Sequence, residues 1–164
     1  MLAFLLAVSV GCGGTPMAQQ LAPLRTRRVL NPIDTLGPTV TVKPPASDVW
    51  RSLHTALVDL GLEINFREEK PMRLGTCYQR VRGRLGKQPL SSYLECGEVQ
   101  SMPNADQYEV AVTVLATVQP NADGTSSLST FVLGVARDDR GGGNRLWCQS
   151  TGRLEEEIRN RVEK

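Results

Sequence analysis

The alternation of apolar and polar positions changes character near Ser47. Beyond it, Val49, Trp50, Leu53, Leu57 and Leu60 recur at three- and four-residue spacing, the period of a helix with one apolar face. Ser47 or Asp48 can cap its start, Gly61 supplies a left-handed stop, and Trp50 is placed to anchor the helix to a core. Leu62, Ile64 and Phe66 then alternate with Glu63, Asn65 and Arg67, as in a strand with one buried face. Thr76 to Arg82 and Pro89 to Glu95 read as two further strands, with Gly83, Gly86 and Lys87 suited to a hairpin between them. The strongest strand is Tyr108 to Val118, where Tyr108, Val110, Val112, Val114, Ala116 and Val118 share one face. Asn121 to Gly124 turns the chain, and Ser127 to Arg137 returns with Phe131, Leu133 and Val135 together. Asp138 to Asn144, with three glycines, reads as a loop. Leu154, Ile158 and Val162 are spaced for a closing helix. Glu155, Glu156 and Glu157 sit at its positive end, and Glu155–Arg159 and Glu157–Arg161 are four-residue pairs. Thr39 to Lys43 alternates weakly, as a first edge strand would.

Helix, about five antiparallel strands, helix: this order predicts an α+β domain over residues 47–164. Both apolar helix stripes are buried most simply against one face of a curved antiparallel sheet.

The segment before Ser47 has a different pattern. Leu2 to Val10 is apolar except for Ser9, far shorter than the roughly 20 residues of a bilayer-spanning helix. It has the length of a signal-peptide core. Ser9-Val10-Gly11-Cys12 resembles the lipobox of bacterial lipoproteins, which implies a signal peptide over residues 1–11 and a diacylglycerol thioether on Cys12. Gly13 stands where some bacteria place an aspartate that retains lipoproteins in the inner membrane, so the resemblance implies an outer-membrane anchor with the domain facing the periplasm. Residues 12–46 hold six of the 10 prolines (Pro16, Pro23, Pro32, Pro38, Pro44 and Pro45) and read as an extended tether.

Composition adds limits. At 164 residues the chain fits one domain with a leader, and 40% hydrophobic with 22% charged residues is compatible with a folded body. Lys and Arg exceed Asp and Glu by 19 − 17 = +2, too little to argue for nucleic acid as the partner. Charge concentrates locally: alternation places Tyr78, Arg80, Arg82 and Arg84 on one strand face, a candidate patch for a phosphate-bearing glycolipid or an acidic envelope protein, or else a charged edge that resists aggregation.

If Cys12 of the 4 cysteines is lipidated, Cys77, Cys96 and Cys148 remain in an oxidising compartment, one disulfide with one cysteine left over. Cys96 with Cys148 is the preferred pair, because the ends of the strands at 89–95 and 127–137 can share an edge. The rival is Cys77 with Cys96, directly opposed across a tight hairpin, a placement that closes less easily into a disulfide. Neither metal nor cofactor is expected: no close cysteine pair or nearby histidine suggests zinc, and Asp138 and Asp139 lack the ligand period of a calcium loop. His54, the sole histidine, has no partner pattern for catalysis and reads as a boundary residue. No nucleophile elbow or phosphate loop is present.

Together the lipobox, the proline-rich arm, the "VWRSLHTALVDLGLEINFRE" opening, the meander and the closing helix resemble the helix-grip domains of BamC-type outer-membrane lipoproteins, which carry two such domains where one fits here. The body is also similar to uncharacterised bacterial lipoproteins with "YLECG" and "CQSTGRLEEEI" segments. The expectation is a non-enzymatic, membrane-anchored protein that binds another envelope component. The alternatives are a carrier of an apolar ligand in a helix-sheet cavity, and a small hydrolase.

Overall fold

The computed structural model describes residues 37–138 and 145–164. The elements in chain order are β1 (Thr39–Val42), α1 (Ala46–Asp59), β2 (Phe66–Glu69), β3 (Met72–Arg82), β4 (Arg84–Leu85), β5 (Gln88–Pro89), a 3-10 turn at Leu90–Ser92, β6 (Leu94–Glu95), β7 (Glu98–Val99), β8 (Met102–Pro103), α2 (Asn104–Gln107), β9 (Glu109–Pro120), β10 (Ser126–Arg137), β11 (Arg145–Ser150) and α3 (Arg153–Val162). The fold is α+β, with an open antiparallel main sheet ordered β2-β3-β9-β10-β11-β6 and β1 added on β10. β4–β5 and β7–β8 form two minor hairpins.

Strand β10 organises the sheet. Its whole length pairs with β9. Its other edge is divided: β1 takes Ser126 to Ser129, and β11 takes Gly134 to Arg137. Gly37 can lie close because it lacks a Cβ; one would meet the Thr130 carbonyl oxygen at 1.7 Å, a clash no backbone tolerates.

Helix α1 buries Val49, Leu53, Ala56 and Leu57, as its period predicts. It begins earlier than the capping residues suggested: Pro45 is the N-cap and makes no side-chain cap bond, so Ser47 and Asp48 fall inside the first turn. Its end is as expected. Gly61 has φ +86°, its N–H donates to the Val58 carbonyl at 2.9 Å, and Leu62 N–H donates to Leu57 at 3.1 Å, which is a Schellman closure. Trp50 packs against the core while the Arg67 guanidinium lies 5.1 Å from its ring centroid.

One buried cluster joins α1, α3 and the sheet through Leu53, Leu57, Leu74, Val112, Leu128, Leu154 and Ile158, each 0–1% exposed. α1 contacts β3, β9, β10 and α3, and α3 contacts β10. Burying each of Leu154, Ile158 and Val162 stabilises the fold by about 1.5–3 kcal/mol. The ion pairs on α3 differ from the expected ones. Arg153 pairs with Glu157 at 3.3 Å, Arg159 with Glu156 at 3.5 Å, and Arg161 reaches across to Asp59 on α1 at 3.6 Å. Glu155 instead accepts from the Ser150 hydroxyl at 2.8 Å: a residue at the helix start serves the entering loop better than its own surface.

Three strand expectations are corrected. Residues 62–65 are not strand, and pairing starts at Phe66. The hairpin partner of β3 is β2, turning at Lys70-Pro71, not the 89–95 segment. That segment breaks into β5, a 3-10 turn and β6 because Pro89 cannot continue a ladder as a donor. The main sheet therefore has seven strands rather than about five.

Candidate functional site

The sheet has a second face, away from the buried cluster, and register shows what it carries. Residues directly opposed in antiparallel strands share a face. One row runs Arg82–Glu109–Arg137–Arg145, and the next runs Arg80–Ala111–Val135–Trp147. Leu133 and Thr113 form the next row, then Gly75, Leu115 and Phe131, with Phe66 opposite Gly75. Phe66 and Leu115 are buried yet stand outside the main core cluster. The outer face is thus an apolar band with arginines across one end.

Position 78 marks the boundary of that band. The β3–β9 register slips between Thr76 and Gln79, so Cys77 and Tyr78 together stand opposite Thr113. Tyr78 has φ +57° and its N–H donates to the Thr113 hydroxyl at 3.2 Å. A bulge of this kind re-aims a side chain, and Tyr78 is 47% exposed. The Asn65 side chain holds the neighbouring backbone from both sides: it accepts from Cys77 N–H at 2.7 Å and donates to the Cys77 carbonyl at 2.9 Å. Gln79, just past the bulge, turns to the end of α1, donating to the Gly61 carbonyl and accepting from Glu63 N–H.

The bulge and Gly83 break the simple alternation that grouped Tyr78, Arg80, Arg82 and Arg84. Arg80 and Arg82 occupy the outer-face rows, and Arg80 is paired with Glu109 at 3.3 Å. Arg84 belongs to β4, where its guanidinium donates to the Lys87 carbonyl. All four residues are exposed.

Cys96 and Cys148 form a disulfide, with S–S 2.02 Å and Cα atoms 4.2 Å apart. β6 pairs with β11 through Glu95–Gln149 and Leu94–Ser150, so continuing that register puts the two cysteines directly opposite. The expected pair is therefore present for a different reason: an opposed pair closes well, and it does so on β11, a strand the sequence reading did not assign. Cys77 is also disulfide-bonded, which corrects the expectation of a cysteine left over. Cys12 lies outside the described residues, as do Asp139 and the three glycines of the 138–144 loop.

His54 is exposed on α1. A groove of about 550 Å³ between α1 and the end of α3, whose lining does not include His54, is bordered by Asp48, Arg51, Ser52, Asp59, Arg161 and Lys164. Its charges are matched as Arg51–Asp48 and Arg161–Asp59, both at 3.6 Å. Among the described residues no group of three His, Cys, Asp or Glu side chains is gathered to hold a metal, and no helix is long and apolar enough to cross a membrane.

The residue that sequence reasoning missed is Trp147. At 66% exposure it is the most exposed large apolar side chain described. The available signal was short: Leu146 and Cys148 alternate with Arg145, Trp147 and Gln149, a period-2 pattern hidden behind the glycine run.

No protein-family model matches the chain, and no curated protein or solved structure is significantly similar to it.

Proposed function

We propose that this is an exported, lipid-anchored envelope protein that carries out no chemistry and whose α+β domain docks another envelope component in an assembly or accessory role. The observation that carries the docking role is the outer sheet face, where Trp147 and Tyr78 stand exposed at either side of Val135 and Leu133. Large exposed apolar side chains grouped beside charged ones are a mark of interaction surfaces. The buried Cys96–Cys148 disulfide fits a chain that folds in an oxidising compartment, as do the short apolar leader and the lipobox-like Ser9-Val10-Gly11-Cys12. On this reading α1 and α3 grip one face of a curved sheet in the helix-grip manner and leave the other for the partner. The space between helices and sheet is filled by Leu53, Leu57, Leu74 and Leu128, which favours docking outside over carriage of an apolar ligand inside.

Intact mass of the native protein from the membrane fraction, before and after reduction and alkylation, tests the reading. A chain that begins at an acylated Cys12 and retains the Cys96–Cys148 bridge is expected. An unprocessed Met1, or a protein whose thiols all alkylate without reduction, overturns it. The Cys12 sulfur cannot both carry a thioether and share a disulfide, so the mass also states which it has; a disulfide there removes the anchor. Normal folding with loss of a hydrolytic activity in His54→Ala would replace docking by catalysis.

A further inference from the structure

We propose that Asp123-Gly124, at the tip of the β9–β10 hairpin, is a site of backbone isomerisation that Thr125 and Asn121 hold shut. The chemistry comes from the pair itself. Gly124 carries no side chain to shield its nitrogen, and the space around it is open: a Cβ built there would meet nothing within 4 Å. Its φ of +86° is a conformation glycine adopts without strain. The Asp123 carboxyl thus stands one residue before an unshielded nitrogen, on an exposed turn. In the uncatalysed step the Gly124 nitrogen attacks Asp123 Cγ. The new C–N bond closes a five-membered imide, and the amide proton leaves with the carboxyl hydroxyl as water. Water then opens the ring at either carbonyl, which returns aspartate or yields isoaspartate with one more methylene in the main chain. No oxidant, reductant or second protein enters the balance.

The step needs a neutral carboxyl, because a carboxylate has no hydroxyl to lose, and a backbone N–H free to turn toward it. Both groups are engaged. Asp123 Oδ1 accepts from the Thr125 hydroxyl at 2.6 Å and from Thr125 N–H at 3.0 Å, bonds that favour the ionised form. The hydroxyl first, and then the N–H, hold the Asp123 carboxyl below the ordinary aspartate range. Gly124 N–H donates to the Asn121 carbonyl at 3.2 Å, closing a β-turn. Asn121 also sets the threonine: its Nδ2 donates to Thr125 Oγ1 at 2.9 Å, and its Oδ1 accepts from Ser127 Oγ at 2.9 Å. Its own N–H donates to the Thr125 carbonyl at 2.9 Å. The carboxyl is committed to residue 125 and the nitrogen to residue 121, so both partners of the attack are already bonded elsewhere.

What the turn protects is register. β9 and β10 pair over their full lengths, from Ser126–Pro120 at the turn to Arg137–Glu109, and β10 carries β1 and β11 on its other edge. Residues 121–125 close that ladder. A methylene inserted among them lengthens one arm of the hairpin, and hairpin register follows loop length. Ser126, the first residue of β10, is buried, and its hydroxyl donates to the Pro44 carbonyl at 2.7 Å. The change is therefore felt where β10 meets the entry to α1. Neither a membrane anchor nor the outer sheet face enters this chemistry.

The test ages the full chain in neutral buffer at constant temperature and counts isoaspartate at residue 123 by peptide mapping with electron-transfer fragmentation. Native protein, the same protein unfolded in urea, Thr125→Val, Thr125→Ser and Ile158→Val are compared, each with its urea denaturation midpoint. The native protein is expected to accumulate isoaspartate about tenfold more slowly than the unfolded chain, and Thr125→Val to recover most of that factor, the size of a lost hydrogen bond to a charged group. Thr125→Ser keeps the hydroxyl and is expected to stay near the native rate. Ile158→Val loosens the core on α3, away from the turn, and is expected to age as the native protein does, which separates local release from a general loss of stability. Equal rates for native and unfolded protein, no acceleration in Thr125→Val, or the same acceleration in Thr125→Ser or Ile158→Val overturns the proposal.

Discussion

Gly134 lies directly opposite Cys148 across β10 and β11, and a methyl group on it would stand 2.7 Å from Leu94 Cδ1 and 3.0 Å from Cys148 Cβ. The bridge to Cys96 is therefore seated over a position with no room for a side chain. Gly134→Ala is expected to cost about 1–3 kcal/mol through overpacking, and Gly134→Val more, as measured by urea denaturation. Leu94→Ala combined with Gly134→Ala should cost less than the sum of the two, since Leu94 supplies the closest contact.

The Cys96–Cys148 bridge closes a loop of sequence separation 52, which contains β9 and β10. The chain-entropy account gives about 4 kcal/mol for such a loop. Replacing both cysteines with alanine should lower the denaturation midpoint accordingly, with no change for Met102→Ala measured alongside. A loss under 1 kcal/mol would show that the sheet holds these strands without the crosslink.

Tyr93 is 2% exposed and its hydroxyl donates to Glu157 at 3.1 Å. Burial first, and then the Glu157 carboxylate, push its pKa up from 10.0 to about 12. A folded pKa raised above the unfolded one means that the stabilisation is complete below pH 10 and is lost between about pH 10 and 12, because the unfolded chain releases the proton first. A tyrosinate absorbance titration should show a late step that is absent in Tyr93→Phe. Stability of the native protein should fall more steeply than that of the variant across the same window.

The Thr76 hydroxyl is fully buried on β3 and meets no hydrogen-bond partner. An unsatisfied buried donor costs free energy that an apolar isostere avoids. Thr76→Val is expected to raise stability by about 1 kcal/mol, and Thr76→Ser to lower it by leaving the same hydroxyl with a void beside it. A destabilised valine variant would mean that the hydroxyl is bonded in solution.

How much the sequence revealed depended on how far each signal extended. α1, β9, β10 and α3 were legible because each repeats one period over ten residues or more, although on β10 the face picked out by Phe131, Leu133 and Val135 is the half-buried outer one, and Leu128, Val132 and Ala136 are the residues buried. β11 was not, since six residues after a glycine run give the alternation too few repeats to stand out. The β3 bulge was invisible for a related reason: one inserted residue at Cys77-Tyr78 reverses the faces beyond it, and nothing local to the sequence announces the slip. The one-face grouping of Tyr78, Arg80, Arg82 and Arg84 therefore holds only in part as geometry. Arg80 and Arg82 did reach one face, while Arg84 left for its own hairpin, and Trp147, Arg137 and Arg145 joined from strands far along the chain.

The divided edge of β10 also decides how the domain answers to tension. A protein held at its N-terminal side and engaged at its sheet is pulled from Gly37. That pull meets β1 before it meets α1 or the core. The first bonds to part are then the short β1–β10 ladder, Ser129 Oγ to the Gly37 carbonyl at 2.9 Å and Thr130 N–H to Pro38 at 3.3 Å. β11 holds the other half of the same edge and is pinned to β6 by the disulfide. β1 can yield while the β10–β11 half of the sheet keeps its shape.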